Sequence, residues 1–275
     1  MFITKWSRAG EYIFIKNYSP RSYGAPSRKR IKRLRETPKA MAKYNNHKRA
    51  EKLQMLMIMN FDKGYHVTLD YPKDARPETY EEAETNLKKA LYKVSRRLKR
   101  QQIRFKYIAV TERGKRAAAL HHHVIIEGNL HILSELEDVW GDHMKISKMY
   151  EDGGYKDLAE YIIKIETKEE QTKGKAKYHR SRNLKEPITG HSFVDGAIKD
   201  EPLIPKGYEL QEDTLVNGYN DVLGIRYQSY VVKKVPKRES QLQPKSSQQY
   251  PKPKGVQKGS IWDKLKGIFK KRRSR

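Results

Sequence analysis

The sequence of 275 residues contains no cysteine, which excludes disulfides, thiolate metal sites and cysteine nucleophiles. It contains no apolar run approaching the roughly 20 residues needed to span a bilayer. Its first residues lack the apolar core of a secretion signal. The expectation is a cytoplasmic protein. Acidic residues are scarce at both ends. Residues 1–60 hold 15 Lys/Arg against 3 Asp/Glu, and residues 233–275 hold 15 against 2. The intervening residues 61–232 hold 29 against 28, so nearly all of the formal net charge of +26 sits outside them. A near-neutral body between basic arms is the electrostatic footprint of a protein that meets nucleic acid phosphates. Solvated tails and an anionic membrane surface are the competing explanations for the same charge.

Along the chain, E-Y-I-F-I-K at 11–16 has strand character. Pro20, Gly24 and Pro26 then argue against regular structure. Residues 37–60 turn helical, with a dense apolar run only from Met55 to Met59, so residues 1–60 read as a basic arm with a strand and a helix packed on the body. The body begins near Gly64. Tyr65 to Tyr71 alternates, with Tyr65, Val67, Leu69 and Tyr71 on one face, as a half-buried strand requires. Glu78 to Arg100 is an amphipathic helix in which Leu87, Leu91, Val94 and Leu98 recur at spacings of three and four. Arg104–Thr111 is a strand, and a turn containing Gly114 joins it to L-H-H-H-V-I-I-E at 120–127, making a hairpin. A short helix at 133–140, a strand at 144–149 and a helix at 155–167 follow. The polar stretch 168–187 reads as a loop, and 208–210 and 225–232 as strands. The order indicates an α+β protein, a ferredoxin-like antiparallel sheet with helices on one face and the other face left for a site.

Three histidines open the strand at 120–127. Alternation puts His121 and His123 on one face and His122 on the other. Two imidazoles two residues apart are half of a divalent metal site. Glu112, on the hairpin partner just before the turn, can add a carboxylate, and that donor set suits Mg²⁺ or Mn²⁺. Glu127 lies too far along the strand to serve. Surface histidines on an edge strand would give the same letters. Tyr161 and Lys164 are three residues apart on a helical pattern and project together. A phenol titrating near pH 10 becomes a nucleophile when a cation favours its phenolate. A core tyrosine beside a solvated lysine is the alternative.

The order of these elements resembles the HUH endonuclease superfamily, whose members start rolling-circle replication or process single-stranded DNA. Val67-Thr68-Leu69-Asp70-Tyr71 resembles its first motif, His121-His122-His123 its second, and Tyr161 with Lys164 its third. The segment from Tyr107 to Ile126 and the S-R-N-L at 181–184 are similar to replication-associated proteins of phages and mobile elements of Gram-positive bacteria. Asp70 stands where many relatives have threonine, and His122 where a hydrophobic residue is usual. The resemblance covers roughly residues 64–232. It implies a five-stranded antiparallel sheet with helices behind it.

It also implies a mechanism. A divalent ion on His121, His123 and Glu112 polarises the scissile phosphodiester of single-stranded origin DNA. Tyr161 attacks phosphorus to form a 5′-phosphotyrosyl link, and Lys164 assists by charge. The freed 3′-hydroxyl then primes a host DNA polymerase. A transposase or relaxase of the same superfamily would share these motifs, and a non-catalytic single-strand-binding protein would share the sheet. No G-x-x-x-x-G-K-[ST] string occurs, so unwinding is expected to come from a host helicase. Arg180, Arg182 and Asn183 lie in a stretch too polar for a core and are candidates for binding DNA phosphates or a base, with a solvated loop as the alternative. Residues 260–275 form a basic amphipathic pattern after a Pro/Gln/Lys linker, suited to an anionic membrane, a partner or DNA.

Overall fold

The computed structural model describes residues 1–19, 39–114, 119–149, 152–168, 178–220 and 225–236. The irregular stretch at 20–38, the Arg116 end of the hairpin turn and the tail at 260–275 lie outside the described residues. Met1–Val235 form one compact unit. Among the described residues no helix is long and apolar enough to cross a membrane.

The protein is α+β, as its element order indicates, and it contains two five-stranded antiparallel sheets rather than one. The histidine sheet has the order β6(Met144–Lys148), β3(Tyr65–Leu69), β5(Leu120–Ile126), β4(Tyr107–Arg113) and β7(His179–Arg180). On one of its faces Val67, Leu69, Val124 and Ile126 pack against α2(Tyr80–Arg100) and α3(Leu130–Trp140). Helix α2 forms where the periodicity puts it. Thr79 caps it by accepting from the Glu82 amide, acidic residues occupy its first turn and basic ones its last, and Leu87, Leu91, Val94 and Leu98 are buried.

The other face is not bare, which corrects the expectation of helices on one side only. Ile108, Val110 and Ile125 lie beneath α1(Lys39–Asn60) and α4(Lys156–Lys168), against Leu53, Leu56, Met57, Ile162 and Ile163. The apolar cover follows the apolar residues and stops where the strands turn polar. On β5 the same face runs Ile125, His123, His121, and on β4 it runs Ile108, Val110, Glu112. The polar ends of those strands hold the site.

The second sheet has the order β8(Ile188–Val194), β1(Phe2–Ala9), β2(Tyr12–Tyr18), β10(Ile225–Lys234) and β9(Tyr208–Asn220). Residues 1–60 are therefore more than an arm, since they supply two strands of this sheet together with α1. Helix α1 lies between the sheets. Its Leu53, Leu56 and Met57 face the histidine sheet and α4, while Met55, Ile58 and Met59 pack against Ala9, Tyr12 and Phe14 of the second sheet. The unbroken apolar run from Met55 to Met59 is what lets one helix pack on both sheets. The second sheet's register is fixed by a buried polar rung. Thr4 donates to Asn17, the Asn17 amide donates to Gln228, and the Gln228 amide donates to Asn217.

Part of the stretch read as a loop at 168–187 is a strand. His179 and Arg180 form β7, pairing with Ala109 and Ile108. Tyr155 stands outside α4, in a turn where it and Gly154 both adopt positive φ (63° and 62°). Its buried hydroxyl donates to the Phe61 carbonyl at 3.2 Å.

Candidate metal and tyrosine site

Strand pairing places Glu112 directly opposite His121 and Val110 opposite His123, so the hairpin alone brings one carboxylate beside two imidazoles. The Nε2 atoms of His123 and His121 stand 3.1 and 3.5 Å from the same carboxylate oxygen, Glu112 Oε2. One donor atom from each of the three residues lies within 4.8 Å of the others. All three side chains are mostly shielded, at 13% exposure for Glu112, 18% for His121 and 6% for His123. Two imidazole nitrogens and one carboxylate oxygen converging from one side fit a divalent ion that keeps open coordination positions.

Helix α4 crosses the open side of this cluster. The Tyr161 hydroxyl donates to Glu112 Oε2 at 3.0 Å, and its ring meets His123 edge-on at 5.5 Å. Three groups thus converge on one carboxylate oxygen. Burial, then the hydrogen bond to Glu112 and its negative charge, push the Tyr161 phenol up to about 12. As the side chains stand, the phenol is held protonated at neutral pH, and a cation on Glu112 and the histidines would reverse the electrostatic part of that shift. Lys164 is exposed one turn further along α4.

One residue that the motifs do not name joins the cluster. His66 Nε2 lies 3.0 Å from His123 Nδ1, with the rings stacked at 5.1 Å. Burial first, and His123 second, push His66 down to about 4, so it stays neutral. A neutral imidazole offers one donor and one acceptor, and His66 can therefore serve either tautomer of His123. His123 itself is shifted down by burial and by His121, with Glu112 and Asp70 opposing. Asp70, of the first motif, acts on His123 only through its charge, and its carboxylate accepts from Lys145 at 2.6 Å. The alternation of β3 puts His66 and Thr68 on the face opposite Tyr65, Val67 and Leu69.

His122 points to the other face, as alternation requires, but it does more than space its neighbours. It is fully buried, 2.7 Å from the Tyr71 hydroxyl and 2.9 Å from Thr111 Oγ1, and edge-on to the Trp140 ring. Burial, with the charge of His121, pushes it down to about 3. Glu127, set aside as a ligand, pairs with Lys106 at 2.7 Å.

The remaining candidates lie at the sheet edge. Arg180 pairs with Glu186 at 2.7 Å, and Arg182 is exposed. The Asn183 amide donates to the Phe105 carbonyl at 3.1 Å, while the Ser181 amide donates to the Tyr107 carbonyl and the Tyr107 amide donates to Ser181 Oγ. These bonds fasten the segment after β7 to the start of β4. Arg180, opposite Ile108, shares the face of the sheet that carries Glu112.

A family model for replication-associated proteins of the ORF2 type matches residues 64–185. The match covers every strand of the histidine sheet and the whole Glu/His/Tyr cluster, and it includes no strand of the second sheet. Over less than half of its length, then, the chain is similar to replication-associated proteins. Neither a curated protein nor a solved structure matches it.

Proposed function

We propose that the chain is a rolling-circle replication initiator, a metal-dependent endonuclease of the HUH type that nicks and rejoins single-stranded origin DNA through Tyr161. The observation that carries this reading is the shared oxygen. Glu112 Oε2 is approached by both histidines and by the phenol of Tyr161 at 3.0 Å. When bound, a Mg²⁺ or Mn²⁺ ion would draw charge from a phosphodiester and favour the phenolate.

The chain's own residues supply the rest. His121, His123 and Glu112 hold the ion, and His66 orients His123 through its Nδ1. Helix α4, fixed by Ile162 and Ile163 in the core, delivers the phenol oxygen to the cluster. That oxygen bonds to phosphorus as the P–O3′ bond breaks, leaving a 5′-phosphotyrosine and a 3′-hydroxyl that takes up a proton. Reversal by the same hydroxyl or a later one rejoins the strand without outside energy. Lys164 supplies positive charge near the transferred phosphoryl group. Arg180 and Arg182 bind flanking phosphates. The 3′-hydroxyl primes a host polymerase, with a host helicase opening the duplex.

Covalent capture tests the proposal. Incubation with Mn²⁺ and single strands from the element's own intergenic DNA should give a protein band of reduced mobility carrying one DNA adduct. Tyr161→Phe should give none. An adduct that persists in Tyr161→Phe, or forms equally in chelator, overturns the assignment.

A further inference from the structure

The second sheet presents a row of open aromatic rings that the chemistry of the histidine sheet does not use. Pairing sets Phe193 opposite Ile3, Ile3 opposite Tyr18, Tyr18 opposite Tyr227 and Tyr227 opposite Gly218. Paired residues share a face, so these five form a single rung crossing every strand. Phe193, Tyr18 and Tyr227 are 52%, 38% and 46% exposed. Gly218 is needed there. A Cβ on it would collide with Tyr227 Cζ, so the ring lies flat along the sheet instead of standing out into solvent. With strands about 4.8 Å apart, the three rings span roughly 14 Å of surface.

The same face is covered further along, where Ala9, Tyr12 and Phe14 meet Met55, Ile58 and Met59 of α1. The neighbouring rung contains His191, Lys5 and Lys16. Lys5 and His191 are exposed, His191 is edge-on to Phe193 at 5.9 Å, and Lys16 pairs with Glu51 of α1. Neither rung contains a carboxylate. Three exposed rings on one sheet face, one of them lying flat, with Lys5 beside them, match the two recognition elements of single strands: stacking for bases and positive charge for phosphates.

We propose that this rung is a single-stranded DNA platform separate from the metal cluster, in which bases stack on Phe193, Tyr18 and Tyr227 while Lys5 meets a phosphate. The choice of DNA over RNA rests on the replication reading; the platform itself does not depend on Tyr161. In such an arrangement the second sheet holds a strand that the histidine sheet cuts.

The test is fluorescence anisotropy of the full-length protein with labelled oligo(dT) in chelator, so that no cleavage contributes. Tyr18→Ala combined with Tyr227→Ala should weaken binding about tenfold or more. Tyr18→Phe with Tyr227→Phe should bind like the wild type, since the rings remain. Duplex of the same length should bind all variants alike. Thermal unfolding of the alanine variant should match the wild type, because both rings are exposed. Unchanged oligo(dT) affinity in the alanine variant overturns the platform. Lost self-association in sedimentation, with oligo(dT) affinity intact, would make the rung a protein interface instead. Tighter binding of oligo(rU) than oligo(dT) would overturn the assignment to DNA.

Discussion

At the polar end of the histidine sheet, three side chains aim at one carboxylate oxygen. Across the second sheet, Thr4, Asn17, Gln228 and Asn217 hand one hydrogen bond to the next. Both arrangements bury polar groups on a strand face. The amide rung has each member satisfied by another, which pins the pairing of four strands and leaves nothing over for a ligand. The Glu112 cluster instead gathers three groups onto one carboxylate oxygen from two strands and a helix. The difference between a structural polar set and a chemical one lies here in convergence, not in composition.

The contrast is broken most sharply by His123→Ala or Glu112→Ala. Either should lower Mn²⁺-dependent adduct formation by about a thousandfold, because several kcal/mol of transition-state stabilisation go with the ion. Mn²⁺ binding by calorimetry should disappear in parallel. Gln228→Leu should leave the rate per folded molecule unchanged.

Acid should separate the sheets next. In chelator, His66 and His122 are held down to about 4 and about 3, whereas an unfolded histidine binds its proton near pH 6.5. The folded chain takes up fewer protons, so their contribution is complete above about pH 6.5. It is lost as pH falls towards 4 for His66, and on towards 3 for His122, by about 1.4 kcal/mol per pH unit for each. Urea unfolding between pH 7 and 4 measures it, and His122→Leu should flatten the slope.

Single substitutions in the two buried polar sets come third. Gln228→Leu should destabilise by about 2–3 kcal/mol, because the Asn17 amide and Asn217 oxygen lose their partner. His122→Leu should cost a similar amount through Tyr71 and Thr111, yet retain nicking in the molecules that fold, since His122 faces away from the metal ligands. Smallest is Thr79→Ala, about 1 kcal/mol from the lost α2 cap, detectable as a shift in the urea midpoint without a change in nicking.

What could be read from the letters was what a single element or hairpin decides. The period of α2, the alternation of β3 and β5, and the placing of Glu112 beside His121 all depend on neighbours in sequence. Tyr161 could be named but its contact could not, because it lies 49 residues from Glu112. His66 was hidden for the same reason. It occupies an ordinary alternate position of β3 and reaches His123 only through strand pairing across 57 residues. The second sheet was hardest to read. Its amino-terminal strands pair with residues beyond 187, and β1 mixes Thr4, Trp6 and Arg8 on one face, so no clean alternation announces it. The double burial of α1 was written in its unbroken run from Met55 to Met59. Without knowledge of two sheets, that run reads as one helix packed on one body.

Because α1 packs on both sheets along that run, neither sheet should melt and leave the other with an intact core. A fragment cut to residues 64–185 would uncover Ile108, Val110, Ile125, Ile162 and Ile163 together, and the result would be a sticky seam instead of a smaller folded domain. Heating the whole chain should give one cooperative transition, with near-ultraviolet signals from Trp6 in one sheet and Trp140 beside the other lost at the same temperature.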